Sequence, residues 1–184
     1  MTLDALLRSA CEALQSEGIP FMLTGSVATA FHGSSRATMD IDFVIDPTVR
    51  QLDALVLRVE TSGAYISREA ARDALLHRTM FNVIDPESGW KADFIIRKDR
   101  PFSAVEFARR QAVEVFGTSL HVAALEDVIL SKLEWAKLGG SARQIDDVRA
   151  LLRINTGRID VGYLERWLDA LGVRTQWELA SAAP

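Results

Sequence analysis

The chain has 184 residues, of which 48% are hydrophobic and 25% are charged, and its formal net charge is −4. These values are typical of a globular protein with one sizeable core, and they exclude the strong overall basic charge of many nucleic-acid-binding proteins. No stretch approaches the roughly 20 apolar residues that a bilayer-spanning helix needs, and the N-terminus lacks the pattern of a signal peptide. We therefore expect a cytoplasmic protein with no membrane contact, whose single Cys11 forms no internal disulfide.

The first part of the chain alternates predicted helices and strands. Apolar residues recur at helical spacing until Gly18, a residue type that often ends a helix. Gly25-Ser26 separates the first predicted strand from a short helix, and Thr48 with Gln51 has the pattern of a capping box. In chain order we predict a helix over 3–14, a strand over 19–23, a helix over 27–31, a strand over 40–45 and a helix from 49 that Gly63 ends.

Strands dominate the middle of the chain, and helices dominate its last third. The turn sequence 85–89 lies between two apolar runs and predicts a hairpin, while Ser103 and Glu106 predict a capped short helix. The predicted strands cover 80–84, 90–96, 113–116 and 120–122, and helical spacing begins at Leu125. The predicted fold class is therefore α/β (α+β), a mixed β-sheet flanked by helices with a helical C-terminal part. We expect residues 1–123 to form the α/β core and residues 124–184 to pack on it, within a single compact domain.

The most informative run is the predicted strand at 40–45, Asp-Ile-Asp-Phe-Val-Ile. Alternate side chains of a strand share a face, so Asp40 and Asp42 point the same way and the apolar residues between and after them point into the core. Two adjacent carboxylates repel each other unless a cation or a proton compensates them, and Mg²⁺ prefers such hard oxygen ligands. The spacing alone favours a solvated edge strand, so an interpretation as a metal site depends on further residues.

Two further features favour a site for metal and phosphate. Gly25-Ser26 follows an apolar strand and precedes a helix, and a small-residue turn at a helix N-terminus exposes N–H groups and a hydroxyl to a phosphate. Asp93 lies inside an apolar strand, on the face opposite its core residues, where an isolated acid needs a partner or a metal. A third carboxylate beside the pair could ligate a metal and act as a general base.

Together these residues resemble the signature of the polymerase-β-like nucleotidyltransferase superfamily. That signature is Gly-Gly or Gly-Ser, a spacer, an acid-apolar-acid-apolar run and a third acid on a separate strand, and the spacer of 13 residues here is at the long end of the family range. The run at 36–42, Arg-Ala-Thr-Met-Asp-Ile-Asp, resembles more closely the small bacterial branch related to the AbiEii toxins. Segments 125–133 and 141–148 are similar to two helical motifs of that branch, so the resemblance extends over residues 15 to 155.

The resemblance implies roles for residues on the predicted helices. Lys132 would face the phosphates of the nucleotide, and Asp147 would support Lys132 or the metal site. A flexible ammonium is a suitable point charge for a triphosphate. An ion pair between Asp147 and Arg143, four residues earlier, is an alternative, and Asp146 could be the functional acid instead.

Arg36 and Thr38 lie just before the carboxylate strand, close enough to contact a phosphate or a ribose. Arg36 could equally be a loop residue that pairs with one of the acids, whereas Ser26 is the better candidate for a phosphate ligand. Four tryptophans are expected to pack rather than to stack on bases. These tryptophans, and two histidines to which no role is assigned, are Trp90, Trp135, Trp167, Trp177, His32 and His77.

These expectations combine into transfer of a nucleoside monophosphate from an NTP to a hydroxyl acceptor, with release of pyrophosphate. The acids would hold two Mg²⁺ ions, for which Mn²⁺ could substitute, and Asp93 would take the acceptor proton. In relatives the acceptor is a tRNA end, a partner protein or a small antibiotic, and the branch implies a toxin with an antitoxin partner. The alternatives are a non-catalytic nucleotide-binding or interaction module on the same fold, and a metal-dependent phosphodiesterase, whose usual His-Asp clusters the sequence lacks. The expected metal ligands are Asp40, Asp42 and Asp93, and the expected nucleotide-binding residues are Gly25, Ser26, Arg36, Thr38, Lys132 and Asp147.

Overall fold

The computed structural model describes residues 2–182, which form a seven-stranded mixed sheet flanked by helices. The strand order is β3-β4-β5-β2-β1-β7-β6. The strands are β1 (Phe21–Thr24), β2 (Asp40–Ile45), β3 (Tyr65–Ile66), β4 (Met80–Ile84), β5 (Lys91–Ile96), β6 (Gln111–Val115) and β7 (Thr118–Val122). The helices are α1 (Leu3–Ser16), α2 (Gly25–Phe31), α3 (Val49–Thr61), α4 (Arg68–His77), α5 (Pro101–Ala108), α6 (Leu125–Gly139), α7 (Ala142–Ile154), α8 (Val161–Leu171) and α9 (Arg174–Ser181).

Strand β2 lies near the centre of the sheet and has a partner on each side. It pairs antiparallel with β1, with Thr24 opposite Asp42, and parallel with β5, with Asp42 opposite Asp93. Strand β1 continues the sheet through a parallel pair with β7. Because β2 is a central strand, the interpretation of the Asp-Ile-Asp spacing as a solvated edge strand is wrong.

Aromatic residues form the core on the face of the sheet that is turned away from the acids. Phe43 of β2 stacks on Phe94 of β5 with ring centroids 5.7 Å apart, and Phe81 of β4 stacks on the other side of Phe94 at 5.4 Å. Aromatic pairs of this kind stabilise the fold by more than the burial of their apolar surface alone. Because Phe43 and Phe94 are almost fully buried, both strands that carry acids are anchored by their opposite face.

The α/β class with a helical C-terminal part is confirmed, and several predicted elements have the predicted bounds. Strands β2 and β4 span 40–45 and 80–84 as predicted, and the capping box of Thr48 and Gln51 is present at the start of α3. Strand β1 begins at Phe21 rather than at Ile19, because the Ile19 N–H donates to the Leu14 carbonyl and so completes the end of α1. The division of the chain at residue 123 stays a prediction.

The predicted cap of helix α5 is wrong. The helix begins at Pro101 with Arg100 as N-cap, because proline suits the first helical position. Ser103 and Glu106 lie within the helix and are both buried against the rest of the protein. Strand β3 and helix α4, which Ser67 caps by accepting a hydrogen bond from the Ala70 N–H, were not predicted. Among the described helices, none combines the length and the apolar character that crossing a bilayer requires.

Candidate active site

The parallel register of β2 and β5 places charged residues on one face of two neighbouring strands. Asp42 lies opposite Asp93, and Asp40 lies opposite Lys91. Asp93 is buried, with 5% of its surface exposed, whereas the Asp40 side chain is 42% exposed. The structure therefore brings the three predicted acids onto one surface, and it adds a lysine that the sequence analysis did not assign.

The junction of β1 and α2 packs directly on Asp42. Gly25 has a left-handed backbone with a φ of +62°, and a Cβ built at this position would lie 1.9 Å from Oδ2 of Asp42. Only glycine allows both the conformation and the approach. The backbone N–H of Ser26 donates a hydrogen bond to the Asp42 carboxylate. The predicted Gly25-Ser26 turn is thus the first turn of α2, and it faces the acids.

The acids are incompletely compensated in the part of the chain that the structure describes. Burial and the nearby charges of Asp40 and Asp93 raise the pKa of Asp42 to about 6. Oδ1 of Asp93 is buried and has no hydrogen-bond partner among residues 2–182. A buried, unpartnered carboxylate oxygen is costly unless a ligand satisfies it. This oxygen donor set therefore fits a hard divalent cation such as Mg²⁺.

The acids do not yet converge on a common point. Over residues 2–182, no three acidic, imidazole or thiol side chains are gathered in the geometry of a ready metal site. Thr38 Oγ1 donates a hydrogen bond to Oδ1 of Asp40, and Lys91 Nζ lies 2.8 Å from Oδ2 of Asp93. The hydrogen bond with Asp93 raises the pKa of Lys91. Side-chain partners thus hold Asp40 and Asp93.

A second group of residues lies beside the acids, where α6 and α7 meet the N-terminus of α2. Lys132 is 3% exposed, and its Nζ lies 2.6 Å from Oδ2 of Asp147 and 3.1 Å from Oε1 of Gln144. Arg36 donates from Nε to the same Asp147 oxygen at 3.3 Å and from Nη2 to Ser26 Oγ at 2.5 Å. Burial lowers the pKa of Lys132. Asp147 thus orients two cations from distant parts of the chain.

The contacts distinguish the alternatives that the sequence left open for α7. Asp146 points outward and pairs with Arg149 at 2.8 Å, with 66% of its side chain exposed. Arg143 lines the cleft, and in the described residues no ion pair joins it to Asp147. The expected alternative of an Arg143–Asp147 pair is therefore wrong. Arg143 is exposed and lines the cleft. The sequence pattern of α7 does not predict this position.

These groups line one open cleft of about 610 Å³ between the sheet and the C-terminal helices. Trp135 lines its wall and is 46% exposed, so the expectation that it packs in the core is wrong, whereas the other three tryptophans do pack against the core. Neither histidine that was left without a role lines the cleft. The residues that line the cleft include Gly25, Ser26, Arg36, Thr38, Asp40, Asp42, Asp93, Lys132, Trp135, Arg143 and Gln144.

A smaller pocket of about 250 Å³ adjoins the cleft and shares Met80, Ile95 and Trp135 with it. Its lining includes the cations Arg78 and Lys98 and also the acids Glu106 and Glu134. It provides a second surface beside the cleft, outside the group that surrounds Lys132.

Comparison with solved structures identifies the fold. An antigenic nucleotidyltransferase-like protein from Paracoccidioides brasiliensis aligns over 97% of this chain and 91% of its own, with a TM-score of 0.58 and 17% identity. The antibiotic-resistance factor ANT(2'')-Ia, in complex with adenylyl-2''-tobramycin, aligns over 95% of this chain and 99% of its own, with a TM-score of 0.60 and 15% identity. JHP933 from Helicobacter pylori aligns over 92% and 75%, with a TM-score of 0.51 and 18% identity. No family model and no curated protein matches the chain. The chain has the nucleotidyltransferase fold.

Proposed function

We propose that this chain is a Mg²⁺-dependent nucleotidyltransferase that transfers a nucleoside monophosphate from an NTP to a hydroxyl acceptor. One observation carries the proposal: Asp42 and Asp93 are paired across β2 and β5, beside the first turn of α2, and one oxygen of Asp93 is buried without a partner. A fold has little reason to bury paired acids unless a ligand compensates them. The fold shared with nucleotidyltransferase-like proteins supports the same reaction class.

The acids of β2 and β5 would hold the cations. Asp40, Asp42 and Asp93 offer hard carboxylate oxygens, which suit two Mg²⁺ ions or Mn²⁺ in their place. When bound, such ions neutralise the triphosphate and acidify the attacking hydroxyl. Asp93 also stands on the face where the acceptor would enter, so its carboxylate would take the acceptor proton.

The residues around α2, α6 and α7 would bind the triphosphate. Gly25 and Ser26 line the cleft, Ser26 offers its hydroxyl, and Lys132 and Arg36 offer positive charges that Asp147 holds in place. An arriving phosphate can take over the hydrogen bond that Arg36 now makes with the Ser26 hydroxyl. The nucleotide would thus connect the sheet with the C-terminal helices.

The acceptor would enter through the smaller pocket, which adjoins the cleft that Asp93 lines. Its apolar residues suit an acceptor with a planar or apolar group, and its lining carries charges of both signs. A tRNA end, a protein hydroxyl and a small molecule all remain candidates, and ANT(2'')-Ia is a neighbour whose structure holds an adenylylated antibiotic. We also propose, from the resemblance to the AbiEii-related branch, that the chain acts as a toxin neutralised by an antitoxin partner.

The test is transfer of label from an α-³²P-labelled NTP in the presence of Mg²⁺. Each of the four NTPs is incubated with three separate acceptor pools, namely tRNA, cell protein and small hydroxyl compounds including aminoglycosides. We expect one pool to become labelled and Asp42→Asn to abolish the labelling. Asp146→Asn is the matched control, because it removes an exposed acid outside the cleft. Equal labelling by Asp42→Asn would exclude the proposed site, and nucleotide binding without labelling of any pool would favour a non-catalytic module.

A further inference from the structure

Lys91 lies among the acids, on the same face of the sheet. It is two residues before Asp93 on β5, so the strand period puts both side chains on one side, and the register puts it opposite Asp40. Its Nζ lies 2.8 Å from Oδ2 of Asp93 and 4.0 Å from Oδ2 of Asp40. The ammonium thus makes direct ion pairs with acids of both strands.

The other cations near the acids are engaged elsewhere. Lys132 and Arg36 both bind Asp147, and neither has an ion pair with the acids of β2 or β5 in the described part of the chain. Lys91 therefore supplies the closest positive charge to Asp93, which is 5% exposed. Lys91 Nζ occupies Oδ2 of Asp93, whereas Oδ1 of Asp93 has no partner in residues 2–182, so a divalent ion bound at Oδ1 would lie close to the ammonium and be repelled by it.

We propose that Lys91 is a resident cation of this site, which stabilises the acids in the metal-free protein and weakens the binding of a divalent ion by Asp93. The inference rests on the proposed function, because it requires the acids to bind metal. The Lys91 side chain is 34% exposed, so it can swing into solvent when an ion binds. In the absence of nucleotide, Lys91 makes metal binding weaker because its charge repels the incoming ion.

This role predicts an effect of opposite sign from that of a ligand. Loss of a metal ligand weakens metal binding, whereas loss of a competing cation strengthens it. A role of Lys91 in holding the Asp93 carboxylate in place for the metal predicts the opposite, a loss of metal affinity when Lys91 is removed. The sign of the change therefore separates the proposal from its alternatives.

The experiment is a titration of the nucleotide-free protein with Mn²⁺ at low ionic strength, followed by the electron paramagnetic resonance signal of free Mn²⁺. We expect Lys91→Met to bind Mn²⁺ about tenfold more tightly than the wild type, a difference of about 1.4 kcal/mol. Lys91→Gln removes the charge and keeps a donor for Asp93, so it gives a second test if the methionine variant does not fold. Lys137→Met is the matched control, because Lys137 is exposed on α6 and makes no ion pair with these acids in residues 2–182, and we expect a change of less than about twofold.

The outcomes separate this inference from the proposed function. Tighter binding by Lys91→Met and Lys91→Gln, with Asp93→Asn weaker than the wild type, supports both. Equal or weaker binding by folded Lys91 variants, while the wild type binds Mn²⁺, overturns the role of Lys91 and leaves the metal site intact. No Mn²⁺ binding by any of these proteins at millimolar concentration overturns the metal site itself, and the inference with it.

Discussion

At the scale of single residues, Gly25 is the most sensitive position of the site. Gly25→Ala places a Cβ 1.9 Å from Oδ2 of Asp42 and forces a left-handed backbone on alanine, which costs about 1–2 kcal/mol. We expect lower stability and also loss of nucleotide and Mn²⁺ binding, because the carboxylate has to move. The measurements are thermal unfolding and the titrations described above.

Gly18→Ala is the matched control for this prediction. Gly18 has a φ of +61°, and the nearest atom to its added Cβ is Nε2 of Gln51 at an ordinary 3.7 Å. It therefore carries the same backbone penalty without a clash at the acids. Loss of stability in both variants with loss of binding only in Gly25→Ala is the expected pattern, and normal binding by Gly25→Ala would contradict it.

The acid face of the site could be predicted from the sequence because strand periodicity is local. A period of two places Asp40 with Asp42 and separates Asp93 from its core neighbours, whichever strands later become partners. The same period places Lys91 beside Asp93, but its contact with Asp40 depends on the register of β2 and β5, which is not local. The grouping of Asp147 with Lys132 came from a resemblance, and the contact of Arg36 with Asp147 was not predicted, since residues so far apart in sequence leave no periodic signal.

At the scale of elements, a buried ion pair between Lys132 of α6 and Asp147 of α7 joins the two helices. Asp147→Asn leaves two cations, Lys132 and Arg36, beside each other with no acid between them, and breaking a buried pair costs about 3–5 kcal/mol. Lys132→Met leaves Asp147 paired with Arg36, so we expect a smaller loss of stability. Chemical denaturation measures both, and Asp146→Asn should change the free energy of unfolding by less than about 0.5 kcal/mol. A larger loss in Lys132→Met than in Asp147→Asn would contradict this account.

Helices α5 and α6 are joined by a hydrogen bond between Glu106 and Ser131, and burial of Glu106 makes the stability of the protein depend on pH. Burial raises the pKa of Glu106, which accepts a hydrogen bond from Ser131, to about 8. The folded state then keeps a proton that the unfolded chain loses near its ordinary pKa, so between about pH 4.5 and 8 the stability falls as the pH rises, by at most about 1.4 kcal/mol per pH unit.

Glu106→Gln removes this titration. We expect the variant to gain stability relative to the wild type as the pH rises from about 5 to 8, measured by urea denaturation at a series of pH values. Glu114→Gln, an exposed acid on β6, should change the pH dependence little. A constant difference between Glu106→Gln and the wild type over this range would show that Glu106 is ionised in the folded protein.

The errors in predicted elements have a common physical origin. Ser103 and Glu106 have the spacing of a cap, but Pro101 begins the helix earlier and turns both inward, where tertiary contacts satisfy them. Helix α4 was missed because its sequence, rich in charge and alanine, has little apolar periodicity and only Ala71 and Ala74 are buried. Tertiary contacts, which the local sequence pattern does not show, therefore determine where α5 begins and whether α4 forms.

At the scale of the whole molecule, the distribution of charge matters more than its sum. A net charge of −4 excludes a strong overall basic charge, yet Arg36, Lys132 and Arg143 all line the cleft beside the acids. Because α6 and α7 carry two of these cations and the sheet carries the acids, a bound Mg²⁺–NTP would contact both parts of the fold. The nucleotide would then connect the sheet with helices α6 and α7.

This arrangement predicts the effect of nucleotide on the whole protein. A ligand that binds only the folded state adds about 2.7 kcal/mol of stability at 100 times its Kd, so Mg²⁺ with a non-hydrolysable NTP analogue should raise the melting temperature. Hydrogen exchange should slow together in α2, at the start of the phosphate site, and in α6 and α7 around Lys132 and Asp147. Asp42→Asn should lose both effects, because its metal site is incomplete, whereas Asp146→Asn should keep them. Protection confined to α2 and β2, with α6 and α7 unchanged, would mean that Lys132 does not reach the nucleotide and that the C-terminal helices only support the sheet.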